Sequence, residues 1–252
     1  MEADPFRVFL DMQLGLKRNA PGSDRATAHV LSLAGALPDE PEVLAMGCGQ
    51  GCDVLTLLRK TDARISAVDI MKPFIKRLEE KAEAEGVTGE RLLTICADFE
   101  ALDLPNHYFD LIWSEGAIYS IGFEEGLEDW KKYLKPGGLA VISDATWLTT
   151  APSKDAQTFW AKDYPDMGTQ EENIARAERA GFDCLTTYQL PDEDWWSEYY
   201  QPLVPLIEEA RRRHAGDIGV ENMLDAQETE IRLFEQCSSE YAYLFYVLRR
   251  RD

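Results

Sequence analysis

The segment 42–58, EVLAMGCGQGCDVLTLL, constrains the fold of this chain more than any other stretch. An apolar run leads into Gly47, Gly49 and Gly51, which alternate with other residues, and a helix-like sequence follows at once. A backbone that turns sharply from strand to helix needs positive φ or close approach, and glycine allows both. Such a turn leaves the first N–H groups of the helix facing whatever lies beyond the strand end, which suits a polar ligand. The pattern is that of a nucleotide-type binding loop in an α/β sheet.

The rest of the chain repeats the alternation. Strands are expected at 43–46, 64–68, 92–96, 109–113, 139–143, 182–190 and 241–248, with helices at 52–59, 72–85, 124–134 and 171–180. Strands alternating with amphipathic helices imply parallel pairing and right-handed crossovers. The expected fold is therefore α/β: a doubly wound, Rossmann-like, mostly parallel seven-stranded sheet with helices on both faces. Residues 5–37 read as a helical arm broken at Pro21-Gly22-Ser23-Asp24, where Ser23 or Asp24 would cap the second helix. Residues 146–170 read as irregular. An excursion over 191–239 carries an aromatic cluster, a helix around 203–214 stopped by Gly216, and another over 220–236; it forms a helical insertion before the last strand. On this reading 1–252 is one domain, with an arm (1–37), a core (38–190 and 240–252) and a cap insertion (191–239).

Charge and cysteine usage narrow the partners. A formal charge of −20 argues against nucleic acid, because phosphate contacts require clustered Lys and Arg. The basic runs at 211–213 and 249–251 read as solvated faces or helix ends. No stretch approaches the roughly 18 apolar residues of a membrane span, and the acidic first residues do not read as a signal peptide. No membrane partner is expected. Five cysteines, an odd number without a secretory signal, point to a reducing cytoplasm. Histidines at 29, 107 and 214, with Cys48 and Cys52 in and beside the glycine loop, show no zinc spacing, so no metal is expected.

In an open α/β sheet, ligands sit over the C-terminal strand ends beside the first strand. Asp69 ends the second strand there, 18 residues after Gly51, where a carboxylate would accept both hydroxyls of a ribose. Asp98 ends the third and could accept from an adenine amine, with Phe99 packed on the base; Ser114 and Glu115 follow the fourth. A dinucleotide loop would need a glycine at position 52, where Cys52 stands. Taken in order, GCGQG after VLAM, VD at the second strand, AD at the third, FDLIWSEG at the fourth and YLKPGGLAVIS before the fifth resemble the class I S-adenosylmethionine-dependent methyltransferase family. Within it the chain is similar to bacterial small-molecule enzymes of the ubiquinone/menaquinone-biosynthesis type, strongly over residues 40–145.

The resemblance implies S-adenosyl-L-methionine as cofactor. It implies Gly47, Cys48, Gly49 and Gly51 along the methionine and ribose portion, Asp69 with Ile70 at the ribose, Asp98 with Phe99 at the adenine, and Ser114 and Glu115 at the opening toward the methyl group. One position departs from the family: Ala45 stands where an acid is usual, and Glu115, Ser23 or Asp24 could compensate. Ser114-Glu115-Gly116-Ala117 after the fourth strand resembles no amino-methylating nucleic-acid enzyme.

A sulfonium methyl is already electrophilic, so the main task is to position an acceptor. A base helps only where the acceptor carries a proton at neutral pH. Catalytic candidates are Glu115, Tyr119 and His214; their structural alternatives are a capping or amine-binding carboxylate, a core tyrosine and a helix-end cation. Trp195, Trp196, Tyr199 and Tyr200, at i, i+1, i+4 and i+5, would cover one helix face as the lid of an apolar acceptor pocket, with Trp147 and Trp160 lining the same cavity. The same face could instead dock the insertion on the sheet or form a homodimer contact. The expected function is methyl transfer to a small, partly apolar molecule; a non-catalytic S-adenosylmethionine-binding protein of the same fold is the alternative.

Overall fold

In a computed structural model describing residues 3–87 and 89–252, with the backbone alone at position 100, the first strand sets the pattern. Residues 1 and 2 of the arm lie outside the described residues. Strand β1 (Glu42–Met46) sends Val43 and Ala45 into one apolar cluster and Leu44 and Met46 into the other. A strand buried on both faces reads as an unbroken apolar run, which is why the sequence shows no alternation there.

The other strands are β2 (Arg64–Asp69), β3 (Leu92–Cys96), β4 (Phe109–Glu115), β5 (Leu134–Trp147), β6 (Phe182–Gln189) and β7 (Tyr241–Arg250). Their order is β3-β2-β1-β4-β5-β7-β6, parallel from β3 to β5, with β7 antiparallel to both its neighbours. The order reverses at β1, with β2 on one side and β4 on the other. Loops leaving the strand ends there splay apart and open a crevice.

Helices α1 (Pro5–Gly15), α2 (Asp24–Leu33), α3 (Cys52–Lys60) and α4 (Lys72–Ala84) bury their apolar stripes in the first cluster. Helices α5 (Phe123–Lys131) and α7 (Gln170–Arg179) bury theirs in the second, so both faces of the sheet are covered. Ser23 caps α2, its hydroxyl accepting from the Ala26 N–H.

The structure corrects two readings of the sequence. Residues 146–170 are not irregular throughout: α6 (Lys154–Asp163) lies there, capped by Ser153, with Ala156 fully buried and Phe159 and Trp160 partly so. A helix with so narrow a buried stripe leaves almost no periodic signal. Lys135-Pro136-Gly137-Gly138 is not the end of a helix but a bulge inside β5, across which pairing shifts from Phe109↔Leu134 to Leu111↔Leu139.

The insertion runs through α8 (Asp192–Trp195), a π-turn at Trp196–Tyr200, α9 (Gln201–Arg213) and α10 (Ile218–Cys237). Pro202 and Pro205 carry no N–H, so a regular i→i−4 ladder cannot cross this segment. The wider turn brings Trp195, Tyr199 and Tyr200 inward together. Trp195 stacks on Phe234 of α10 at 4.9 Å and meets Tyr243 of β7 edge-on at 4.7 Å, which docks the insertion on the sheet.

Candidate active site

The glycine loop leaves β1 in a conformation that L side chains resist. Gly47 has φ +69°, and a Cβ there would come within 2.3 Å of the Ala117 Cβ. Gly51 has φ +77°, with Leu78 filling the space of its missing side chain. Gly49 N–H donates to Asp69 Oδ2 at 2.8 Å and Met71 N–H to Asp69 Oδ1 at 2.8 Å. Burial pushes the Asp69 carboxyl up, and these two bonds offset part of that. Asp69 thus ties the loop to the end of β2, the ordering task open at Ala45, while each oxygen keeps further acceptor capacity.

Around it stand the other cofactor candidates. Ile70 is 60% exposed just past Asp69, and Asp98 is exposed after β3. Phe99 lies against Gly47 and meets Trp130 edge-on at 5.4 Å. Cys48 is buried and its thiol pushed well up by that burial, which suits packing and not reactivity. The Ser114 hydroxyl is buried without a partner.

The segment joining α1 to α2 crosses directly over this loop. Lys17, Arg18, Asn19, Ala20 and Pro21 close a cleft of about 370 Å³ with residues 47–53 and Glu115. Gln50 fastens the two: its side-chain amide donates to the Gln13 and Leu16 carbonyls at 2.8 and 3.2 Å, and its N–H donates to Asn19 Oδ1 at 3.1 Å. Arg18 donates to Glu115 Oε2 at 3.2 Å and to Asp24 Oδ1 at 2.9 Å. Burial opposes its charge, but Glu115 and the acidic groups beside it hold its pKa above the usual arginine range. Its Nε is buried without a partner.

Glu115 also accepts from the Thr27 hydroxyl at 2.7 Å and the Trp113 indole at 3.0 Å. With the Arg18, Thr27 and Trp113 donors on its two oxygens, Glu115 ties the arm to the end of β4. Sequence reasoning missed Arg18, Asn19 and Gln50. The contacts by which they join the arm to the loop and to β4 span 31 to 97 residues, which no local pattern marks.

Asn19, Ala20 and Pro21 also wall a second cavity of about 880 Å³. Its lining is aromatic: Tyr119, Phe159, Trp160, Tyr164, Tyr199 and Tyr243, with Phe9 at the arm side, and its polar groups include Asp163, Gln227 and Glu230. The Tyr164 hydroxyl donates to Asp144 Oδ2 at 2.6 Å behind the wall, and burial pushes the Asp144 carboxyl up to about 7.

Of the four clustered aromatics, Tyr199 lines this cavity. Trp195 and Tyr200 are buried in the chain's own core, and Trp196 is half-buried beside Tyr200. The cluster therefore presents no broad apolar face to a second copy. Trp147 is half-buried, meets Tyr241 edge-on and lines a separate hollow of about 760 Å³ that shares Trp160 and Tyr164. His214 closes α9 beside Asp217 and lines neither the cleft nor the aromatic cavity. Among the described residues, no three His, Cys, Asp or Glu side chains converge as a metal-ligand set.

Residues 43–138 match the methyltransferase-domain family. The sterol 24-C-methyltransferase of Aspergillus fumigatus is 25% identical over 192 residues, 69% of this chain and 48% of that protein. The sarcosine/dimethylglycine N-methyltransferase of Halorhodospira halochloris is 25% identical over 205 residues, 75% of this chain and 73% of that one. The chain thus spans about half the length of the sterol relative. The fold is shared with a Geobacter sulfurreducens S-adenosylmethionine-dependent methyltransferase crystallised with S-adenosyl-L-homocysteine, at a TM-score of 0.82 and 20% identity over all of both chains. Residues 43–138 thus carry a methyltransferase domain, and the sheet around it has the fold of that S-adenosylmethionine-dependent methyltransferase.

Proposed function

We propose that this protein transfers a methyl group from S-adenosyl-L-methionine to a small, partly apolar molecule. One observation carries the reading: the cleft over the glycine loop and the aromatic cavity adjoin, sharing the wall Asn19-Ala20-Pro21. A donor and an acceptor held in two such spaces would meet at that wall, and orientation of this kind lowers barriers by up to ~7–11 kcal/mol.

The residues fit the cofactor's chemistry. Asp69 retains acceptor capacity for ribose hydroxyls, Ile70 and Phe99 offer apolar surface for a base beside Asp98, and Arg18 brings a cation to the cleft wall that could pair with a carboxylate. Gly47, Cys48, Gly49 and Gly51 supply backbone without bulk, and Ser114 and Glu115 close the opening. When bound, the cofactor supplies an electrophilic methyl on sulfur. The chain's own work is to hold both reactants and exclude water, with the arm and the 191–239 insertion closing one domain over them. Tyr119, 45% exposed on the cavity rim, is the side chain best set to touch the acceptor.

The wider setting belongs to the same reading. A charge of −20 favours small molecules over nucleic acid, and five cysteines without a disulfide suit a cytoplasmic location. Among the described residues no helix is long and apolar enough to cross a membrane. The sterol and the sarcosine/dimethylglycine relatives are named for small acceptors. Calorimetric titration with S-adenosylmethionine and, separately, NADH tests the proposal. Binding of the first alone is expected; failure of a folded protein to bind it would overturn the reading.

A further inference from the structure

The cavity beside the cofactor cleft is unusual in what it combines. Its walls are rings, Tyr119, Phe159, Trp160, Tyr164, Tyr199 and Tyr243, yet two carboxylates, Asp163 and Glu230, also line it, and no Lys, Arg or His does. Among the described residues neither carboxylate has an ion-pair partner. Glu230 takes a single hydrogen bond, from the Tyr200 hydroxyl at 2.9 Å on Oε1, which leaves Oε2 for a ligand. The Tyr164 hydroxyl is turned to Asp144, so its oxygen presents lone pairs and not a proton to its surroundings.

An uncharged apolar acceptor would gain nothing from Glu230, half-buried among the rings without an ion pair, or from the exposed Asp163 that also lines the cavity, and an anion would be repelled. A cation gains from both, since ring faces attract positive charge within about 6 Å and a half-desolvated carboxylate lacks a counter-ion. Resting on the methyltransferase reading above, we infer that the acceptor of this site is a small amine bound as its ammonium cation, enclosed by the rings and paired with Glu230 and Asp163.

The chemistry balances. The ammonium proton passes to the Glu230 carboxylate, which burial makes a better proton acceptor than a free one. The nitrogen lone pair then forms the N–CH₃ bond as the S–CH₃ bond breaks, and that bond's electron pair stays on sulfur as a thioether. The product nitrogen carries one positive charge, the charge the sulfonium loses, and the proton on Glu230 leaves to solvent.

A quaternary probe separates recognition from reaction, because it can be neither deprotonated nor methylated. Choline and its neutral isostere 3,3-dimethylbutan-1-ol would be titrated calorimetrically into protein saturated with S-adenosylhomocysteine. Choline should bind roughly tenfold more tightly or better. Glu230→Gln should bring the two close to parity, and Asp163→Asn should reduce the ratio by a smaller factor. S-adenosylhomocysteine affinity, kept in both variants, reports that the fold is intact. Equal or tighter binding of the alcohol would overturn the inference, as would a ratio that neither variant changes. A Glu230→Gln loss seen for S-adenosylmethionine but not for S-adenosylhomocysteine would also overturn it, by giving the carboxylate to the sulfonium. If S-adenosylhomocysteine itself fails to bind, the methyltransferase reading falls, a result distinct from failure of choline alone.

Discussion

In the cleft over the glycine loop, one wall is the short stretch 47–53 after β1, fastened from below by Asp69, and the facing wall is the arm segment 17–21 with Glu115. In the adjoining cavity the surface is side chains, carried by the arm, the β5–α6 region, the π-turn, α10 and β7. The first is rigid because positive φ and close contacts leave it no other shape. The second keeps its shape only while the insertion stays docked, and that docking centres on Trp195, 1% exposed between Phe234 and Tyr243. Damage to the two regions should therefore look different.

The largest effect is expected at that docking point. Trp195→Ala removes a fully buried indole and should cost about 3–5 kcal/mol of stability, read as a shift of the urea midpoint with S-adenosylhomocysteine binding kept in the folded fraction. Tyr199→Leu, on the cavity wall, should weaken acceptor binding with a much smaller stability change. If Trp195→Ala cost under ~1 kcal/mol and abolished only acceptor binding, Trp195 would be a lid and not a core residue.

Gly47→Ala strikes the loop side of the cleft. The added Cβ meets Ala117 at 2.3 Å and the residue must still hold φ +69°, so the loop has to move. Cofactor affinity should fall by two orders of magnitude, about 3 kcal/mol, while choline binding measured without cofactor should hold within a factor of about two. Parallel loss of both would mean that the cavity depends on the loop and that the contrast between the regions is false.

Asp144 probes the wall between β5 and α6. Its folded pKa, raised by burial from 3.8 to about 7, exceeds that of an unfolded chain. The stability linked to its protonated form is complete below about pH 4 and is lost as pH rises through about 7. Asp144→Asn has no such proton to lose. Relative to wild type, the variant should gain about 2 kcal/mol between pH 5 and 7.5; a constant difference across that range would show that Asp144 titrates normally.

The same contrast explains what the sequence disclosed. A loop made by alternating glycines, an acid at a strand end and a strand buried on both faces are local facts, so β1, the position of Asp69 and the sheet were legible from residue order. Glu115 was legible as a position but not as a partner, because Arg18 reaches it across 97 residues. Trp195 was singled out by its spacing on one helix face and His214 by its place at a helix end, and neither says which way the helix faces. Asp163 and Glu230 were invisible as a pair: they are two acids among 46, and only the docking of α10 beside α6 brings them to one cavity.

Asn19→Ala should give the smallest effect and the sharpest test, because Asn19 belongs to both regions. Its Oδ1 accepts from the Gln50 N–H at 3.1 Å and its Nδ2 donates to the Gln13 carbonyl at 3.1 Å, so truncation unties the wall from the loop on one side and from α1 on the other. The bond to the loop is worth about 1 kcal/mol, which predicts a loss of about fivefold in S-adenosylhomocysteine affinity. If the shared wall couples the two spaces, choline affinity should rise on saturation with S-adenosylhomocysteine in the wild type, and by a smaller factor in the variant. Linkage requires the same factor in the reverse titration. Choline affinity that is blind to the cofactor in both proteins would mean that the cleft and the cavity, although they touch, bind their ligands independently.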